Sequence, residues 1–190
     1  MFRYGVAIVW ITTSHFANCL VNMTHKLISF WRVLMKGKSK VTQVLNQMLL
    51  LELTSINQYF LHARIFKNWG LEELNEKEYK KSILDMKQAD DLIERILFLE
   101  ALPNLQQLNK LRIGEHTEEM IQCDKDLQDE QIAALRGAIA LCETEEDYVS
   151  RELLEDILEG EEDHLDWIEA QQFLIGATGI ENYQQTMMED

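Results

Sequence analysis

Proline occurs once in this 190-residue chain, at Pro103, glycine only eight times and cysteine three times. So little turn-forming chemistry disfavours an all-β sandwich or barrel, and it excludes collagen-like and disulfide-stapled small folds. Cys19, Cys123 and Cys142 form no Cys-x-x-Cys pair, which argues against a thiolate zinc site and fits a reducing cytoplasm. The apolar run Val6 to Ile11 is too short to span a bilayer and is followed at once by Thr12, Thr13 and Ser14. Acidic residues are missing altogether from positions 1–34, and Ala17-Asn18-Cys19 only loosely resembles a leader cleavage site. Met35-Lys36-Gly37-Lys38 reads like an ordinary N-terminus. Residues 1–34 are therefore expected to be a non-native or disordered extension, and residues 35–190 the folded domain.

The charge is concentrated in that domain. Its 33 acidic and 15 basic side chains repel nucleic acid and anionic membranes and attract cations. Apolar residues recur at helical spacing in four segments. The first runs from Val41 to about Asn68 and stops at Trp69-Gly70. The second begins with Asn75 as a candidate N-cap and runs through Ile83, Leu92 and Ile96 to Leu99, ahead of Pro103. Residues 103–115 show no continuous stripe. A third helix starts at Thr117 and passes Leu127 and Leu135 to Leu141. Thr144 can cap the fourth, whose stripe is read as Val149, Leu153, Ile157, Leu165, Ile168 and Phe173, ending near Gly176. Residues 179–188 suggest a short fifth helix. Two helical hairpins joined by a longer connection predict an all-α four-helix bundle with one crossover.

Some charged and polar residues lie on the apolar stripes. Glu161 and His164 follow Ile157 by four and seven positions, Glu52 lies between Met48 and Ile56, Asp85 and Gln88 lead the stripe of Leu92 and Ile96, and Gln128 lies seven residues from both Ile121 and Leu135. The two hairpins are in register, since 33 positions separate Glu52 from Asp85 and also Gln128 from Glu161. Each half offers an acid or amide on its first helix and a pair three residues apart on its second. That is the layout of a dinuclear carboxylate site in a bundle core. The competing reading is a buried hydrogen-bond and salt-bridge cluster with no metal. Met86 lies about 100° around the helix from Asp85 and faces outward. Tyr79 and Ile83 continue its stripe, and Leu53, Asn57 and Phe60 make another on the first helix, so a subunit interface is expected to cover them.

The stretches 56–64 (INQYFLHAR), 66–71 (FKNWGL), 93–100 (IERILFLE) and 147–151 (DYVSR) carry a resemblance to bacterioferritin, the haem-containing branch of the ferritin family, and it covers residues 35–190. The resemblance implies intracellular iron storage and detoxification in the cytoplasm by a hollow 24-subunit shell, with haem b bound across a twofold axis between subunits. It implies that Met86 is the haem ligand, with Leu53, Asn57, Phe60, Tyr79 and Ile83 around it. It also implies a di-iron ferroxidase centre of four Glu and two His, whose positions here are Glu52, Asp85, Gln88, Gln128, Glu161 and His164. Only Glu52, Glu161 and His164 match. Asp85 is one methylene shorter, Gln88 and Gln128 are neutral amides, and the carboxylate charge falls from −4 to −3, so each iron loses one terminal ligand. Two functions remain open: a shell-building, haem-holding subunit that relies on a ferroxidase-competent sister subunit, or a ferroxidase that tolerates the altered ligands. Neither nucleic acid nor membrane is an expected partner.

Overall fold

The computed structural model describes residues 39–188, so the expectation for residues 1–34 lies outside the described residues. Among the described residues five helices follow one another: α1 Ser39–Asn68, α2 Glu72–Phe98, α3 Thr117–Thr144, α4 Tyr148–Thr178 and α5 Ile180–Thr186. Among the described residues there is no strand, and no helix is long and apolar enough to cross a membrane. In the four-helix bundle α1 packs on α2 and α3, α4 packs on α3 and α2, and α5 folds back against α4. Gly70, at φ +78°, allows the tight reversal from α1 into α2, with the Leu71 amide bonded to the Phe66 carbonyl at 2.9 Å.

The long connection between α2 and α3 has no regular structure and runs along α1. Side chains of α1 accept its backbone amides at three points. Asn46 Oδ1 takes the amide of Asn104 at 2.7 Å, Thr54 Oγ1 that of Asn109 at 3.0 Å, and Gln58 Oε1 that of Arg112 at 2.9 Å. At the other end of the hairpins, Arg95 of α2 reaches Asp147 at 2.6 Å and Ser150 Oγ at 2.8 Å, which ties α2 to the start of α4.

Three sequence expectations need correction. Asn75 is not an N-cap but lies one turn inside α2, accepting from Arg64 at 2.9 Å; the α2 terminus is instead closed in part by the Met187 carbonyl, which takes the Glu73 amide at 3.1 Å. Thr144 is the last residue of α3 and bonds back to Ala140, while Glu146, at φ +57°, turns the chain so that Asp147 caps α4 by accepting the Ser150 amide at 3.1 Å. The buried stripe of α4 runs Ser150, Leu154, Ile157, Glu161, His164, Ile168, Gln171 and Ile175, whereas Val149 and Phe173 are 60% and 73% exposed. Phe173 is five residues past Ile168, a spacing that carries it off the inward face.

Two apolar clusters fill the bundle. One joins Val41, Leu45 and Leu49 to Leu92, Ile96, Leu135 and Leu154, and the other joins Phe66 and Leu74 to Met120, Ile168 and Tyr183. Between them lies a band of buried polar side chains, and the candidate site is in it.

Candidate metal centre

The band exists because each helix interrupts its apolar stripe with polar residues at stripe positions. Glu52 of α1, Asp85 of α2 and Glu161 of α4 are fully buried, and one oxygen of each lies within 4.8 Å of the others. Three carboxylates this close and this dry stay ionised only beside a cation and otherwise take up protons. The cation is Lys81. It stands one turn before Asp85 on α2, and its ammonium bonds to Asp85 and to both oxygens of Glu161, at 2.8 and 2.7 Å. Neutral donors meet several of the remaining lone pairs. Ser55 Oγ donates to Asp85, Gln128 Nε2 donates to the Glu161 carboxylate and to its backbone oxygen at 3.0 Å, and Gln131 Nε2 reaches Glu52 at 3.4 Å. Tyr59 donates to Gln128 Oε1 at 2.9 Å, which fixes the amide with its nitrogen toward Glu161. The cluster also contacts the Tyr59 ring, with the Lys81 ammonium 5.5 Å from its centroid.

The electrostatics follow from this arrangement. Burial alone would lower the Lys81 pKa, but the charges of Asp85, Glu161 and Glu52 outweigh it and hold the ammonium above its ordinary range. Asp85 is pushed up to about 6, chiefly by burial, with Lys81 opposing the shift and Glu161 adding to it. Glu52 is raised well above the usual carboxylate range by burial and by the charges of Asp85 and Glu161, and its Oε2 has no partner. Burial, and then the charges of Lys81 and Lys77, push His164 well below its ordinary value, so its imidazole is neutral. His164 Nε2 and Gln88 Oε1 make no hydrogen bond. The His164 ring is held by stacking on Trp167 at 5.5 Å and by an edge contact with Tyr59 at 5.1 Å. A cavity of about 250 Å³ lined by Lys77, Lys80, Lys81, Leu84, Gly160, Asp163 and His164 opens beside the cluster.

A ferritin-like domain model matches residues 42–174. A bacterial ferritin from Synechocystis sp. is 45% identical over 155 residues, covering 81% of this chain and 99% of that protein. A bacterioferritin from Brucella melitensis is 41% identical over 151 residues and one from Mycobacterium leprae 40% over 149, each covering 94% of the relative and about four fifths of this chain. The chain belongs to the bacterioferritin family. All six positions that the resemblance gives to the di-iron centre are buried in this bacterioferritin, and three of them, Glu52, Asp85 and Glu161, converge. Gln128 joins them as a donor rather than as a ligand, while Gln88 and His164 border the cluster without a polar contact to it.

Sequence reasoning missed Lys81, the charge at the centre of the cluster. The available signal was its spacing: residues 78, 81, 85, 88 and 92 form one stripe on α2, and all are buried. It missed Ser55, Tyr59 and Gln131 as supports for the same reason. On the outer face, Met86 is 52% exposed, Phe60 and Tyr79 are exposed with ring centroids 6.3 Å apart, Leu53 and Ile83 are half-buried, and Asn57 is exposed.

Proposed function

We propose that this chain is a cytoplasmic iron-storage subunit that helps to build a 24-subunit bacterioferritin shell and binds haem b between subunits. In this reading, oxidation of ferrous iron falls mainly to a sister subunit with an intact di-iron centre. The observation that carries it is the Lys81 ammonium, hydrogen-bonded to Asp85 and Glu161, the two carboxylates that by resemblance would bridge two irons. Ferrous ions entering there must displace a buried cation that has its hydrogen bonds already made, and the neutral amides of Gln88 and Gln128 offer weak replacement ligation. Ferrous iron is held more weakly on nitrogen and oxygen donors than the divalent metals that follow it in the first row, so the loss of ligands bears heavily on it.

The haem assignment is supported by the outer face. Met86 presents a half-exposed thioether on the α2 face that also carries Tyr79 and Ile83, and Phe60 of α1 lies with its ring centroid 6.3 Å from that of Tyr79, a donor and an apolar surface suited to a flat macrocycle. Asn57, on the same face, donates one amide hydrogen to the Leu53 carbonyl at 2.6 Å. Bound there by Met86 from each of two subunits, haem would supply a one-electron couple biased to the ferrous state.

Stopped-flow mixing of Fe(II) and oxygen with the purified homopolymer tests the central claim. Slow oxidation is expected, restored by co-assembly with a subunit that keeps all six ligands. A fast phase consuming two Fe(II) per subunit would replace this reading with that of a competent ferroxidase. In the same preparations Met86→Leu should abolish the haem absorption, and a normal haem spectrum and stoichiometry in that variant would remove Met86 from the haem site.

A further inference from the structure

Next to the Lys81 cluster, toward the α5 end of the bundle, lies a second group of buried ionisable side chains that the proposed function does not use. His62 on α1 is fully buried, and its Nδ1 is 2.8 Å from Asp124 Oδ2 on α3. Gln58 Nε2 holds the other oxygen of Asp124 at 2.8 Å. The far nitrogen of the ring, Nε2, has no partner. Glu78 on α2 is 1% exposed, and its Oε2 has no partner either. The helix register brings these two orphans to one level of the bundle. Ser55 meets Asp85 and Arg64 meets Asn75 across the antiparallel α1–α2 pair, and between those contacts His62 is seven residues past Ser55 while Glu78 is seven before Asp85. Glu78 is raised well above the usual carboxylate range by burial and, next, by the charge of Asp124, with Lys81 opposing.

An imidazole whose one nitrogen bonds to a carboxylate and whose other is left bare is the arrangement that second-shell carboxylates impose on metal-binding histidines. A bare buried carboxyl at the same level is otherwise costly, since even in its protonated form its hydroxyl needs an acceptor. We propose that His62 and Glu78 form a second internal site for one divalent transition-metal ion, with Asp124 as the positioning residue that orients the imidazole. Nitrogen and carboxylate donors together select a borderline ion such as Zn²⁺, Co²⁺ or Fe²⁺ over Ca²⁺ or Mg²⁺. The Tyr183 hydroxyl bonds at 3.1 Å to Gln171, which lines a cavity of about 780 Å³ with Trp167 and Lys77.

The test is titration of the assembled, full-length protein with Co²⁺, followed by visible absorption, together with anomalous diffraction from a cobalt-soaked crystal. We expect one tightly bound Co²⁺ per subunit, displaced by Zn²⁺, with an anomalous peak between His62 Nε2 and the Glu78 carboxyl. His62→Gln and Glu78→Gln should each abolish this ion, and Asp124→Asn should weaken it by about ten- to hundredfold. The diffraction arm uses the unaltered chain, so it decides the matter even if the buried variants fail to assemble. A crystal with only solvent density at that level overturns the proposal. Cobalt that survives His62→Gln but is lost in Asp85→Asn also overturns it, and would at the same time show that Lys81 yields its place to metal. The anomalous peak at His62 tests this inference and the rate of iron oxidation tests the reading of the Lys81 cluster, so each can fail while the other stands.

Discussion

Where α1 begins, Leu45, Leu49, Leu92, Ile96, Leu135 and Leu154 meet with almost no exposed surface; further along, the same four helices meet through Glu52, Lys81, Asp85, Gln128 and Glu161, equally buried. The two regions are equally dry and close the bundle by different physics. Hydrocarbon at the end stabilises in proportion to the area it removes from water. The charged middle gains little net stability, because desolvating each ion offsets most of the attraction it wins, and a well-packed apolar replacement is often as stable or better. Cohesion alone therefore does not account for a charged cluster at that level. Lys81 is what makes the site tolerable without metal, since it brings to two carboxylates a counter-ion that is covalently part of the fold.

Removing that counter-ion should give the largest effect. Lys81→Ala leaves Asp85 and Glu161 facing each other in a buried space, and a loss of about 3–5 kcal/mol near neutral pH is expected in chemical denaturation. Millimolar Mn²⁺ should recover part of it, because only the folded form offers the vacated carboxylates together. A loss below about 1 kcal/mol would mean that the pair behaves like an exposed one. Next, Leu92→Ala in the apolar end should cost about 3 kcal/mol and show no response to metal. A metal-dependent recovery in that variant would erase the distinction between the two regions.

The smallest effect sharpens the comparison within the charged region. Glu52 has a folded pKa raised well above its ordinary value, so its contribution to stability is complete at pH below that ordinary value and is lost as pH rises through the raised one. Glu52→Gln, which mimics the protonated acid, should therefore melt close to the unaltered protein at pH 4.5 and higher at pH 8. The expected gain is about 2–4 °C, the response of a chain of this size to ~1 kcal/mol. Equal melting differences at both pH values would show that Glu52 does not titrate between them.

The stripes on four helices made the bundle legible, and with it the burial of Glu52, Asp85, Gln88, Gln128, Glu161 and His164, because which face a residue takes is a property of helical period. Lys81 was not legible in the same way. A lysine on an acidic helix ordinarily reaches solvent, and only the convergence of α2 with α4 turns this one into a buried counter-ion. The helix starts failed for a related reason. Asn75 and Thr144 have cap-forming side chains, but the α2 terminus is met by the Met187 carbonyl from the far end of the chain and the α4 cap is Asp147, which also binds Arg95. Local propensity proposes a cap, and a tertiary partner can supply one that no local window contains. His62, Asp124 and Glu78 escaped notice because two of them lie outside the motif spacing that drew attention to the centre, and the third shares its helix face with Lys81.

The connection beside α1 carries a constraint of another kind. Most surface loops absorb insertions and deletions readily, because nothing along their length counts residues. Here Asn46, Thr54 and Gln58 do count them, each waiting for one particular amide of residues 104–112. A single residue gained or lost between those anchors would carry every later amide past its acceptor. This irregular segment should therefore hold its length across evolution as strictly as a helix does, while its exposed side chains remain free to vary.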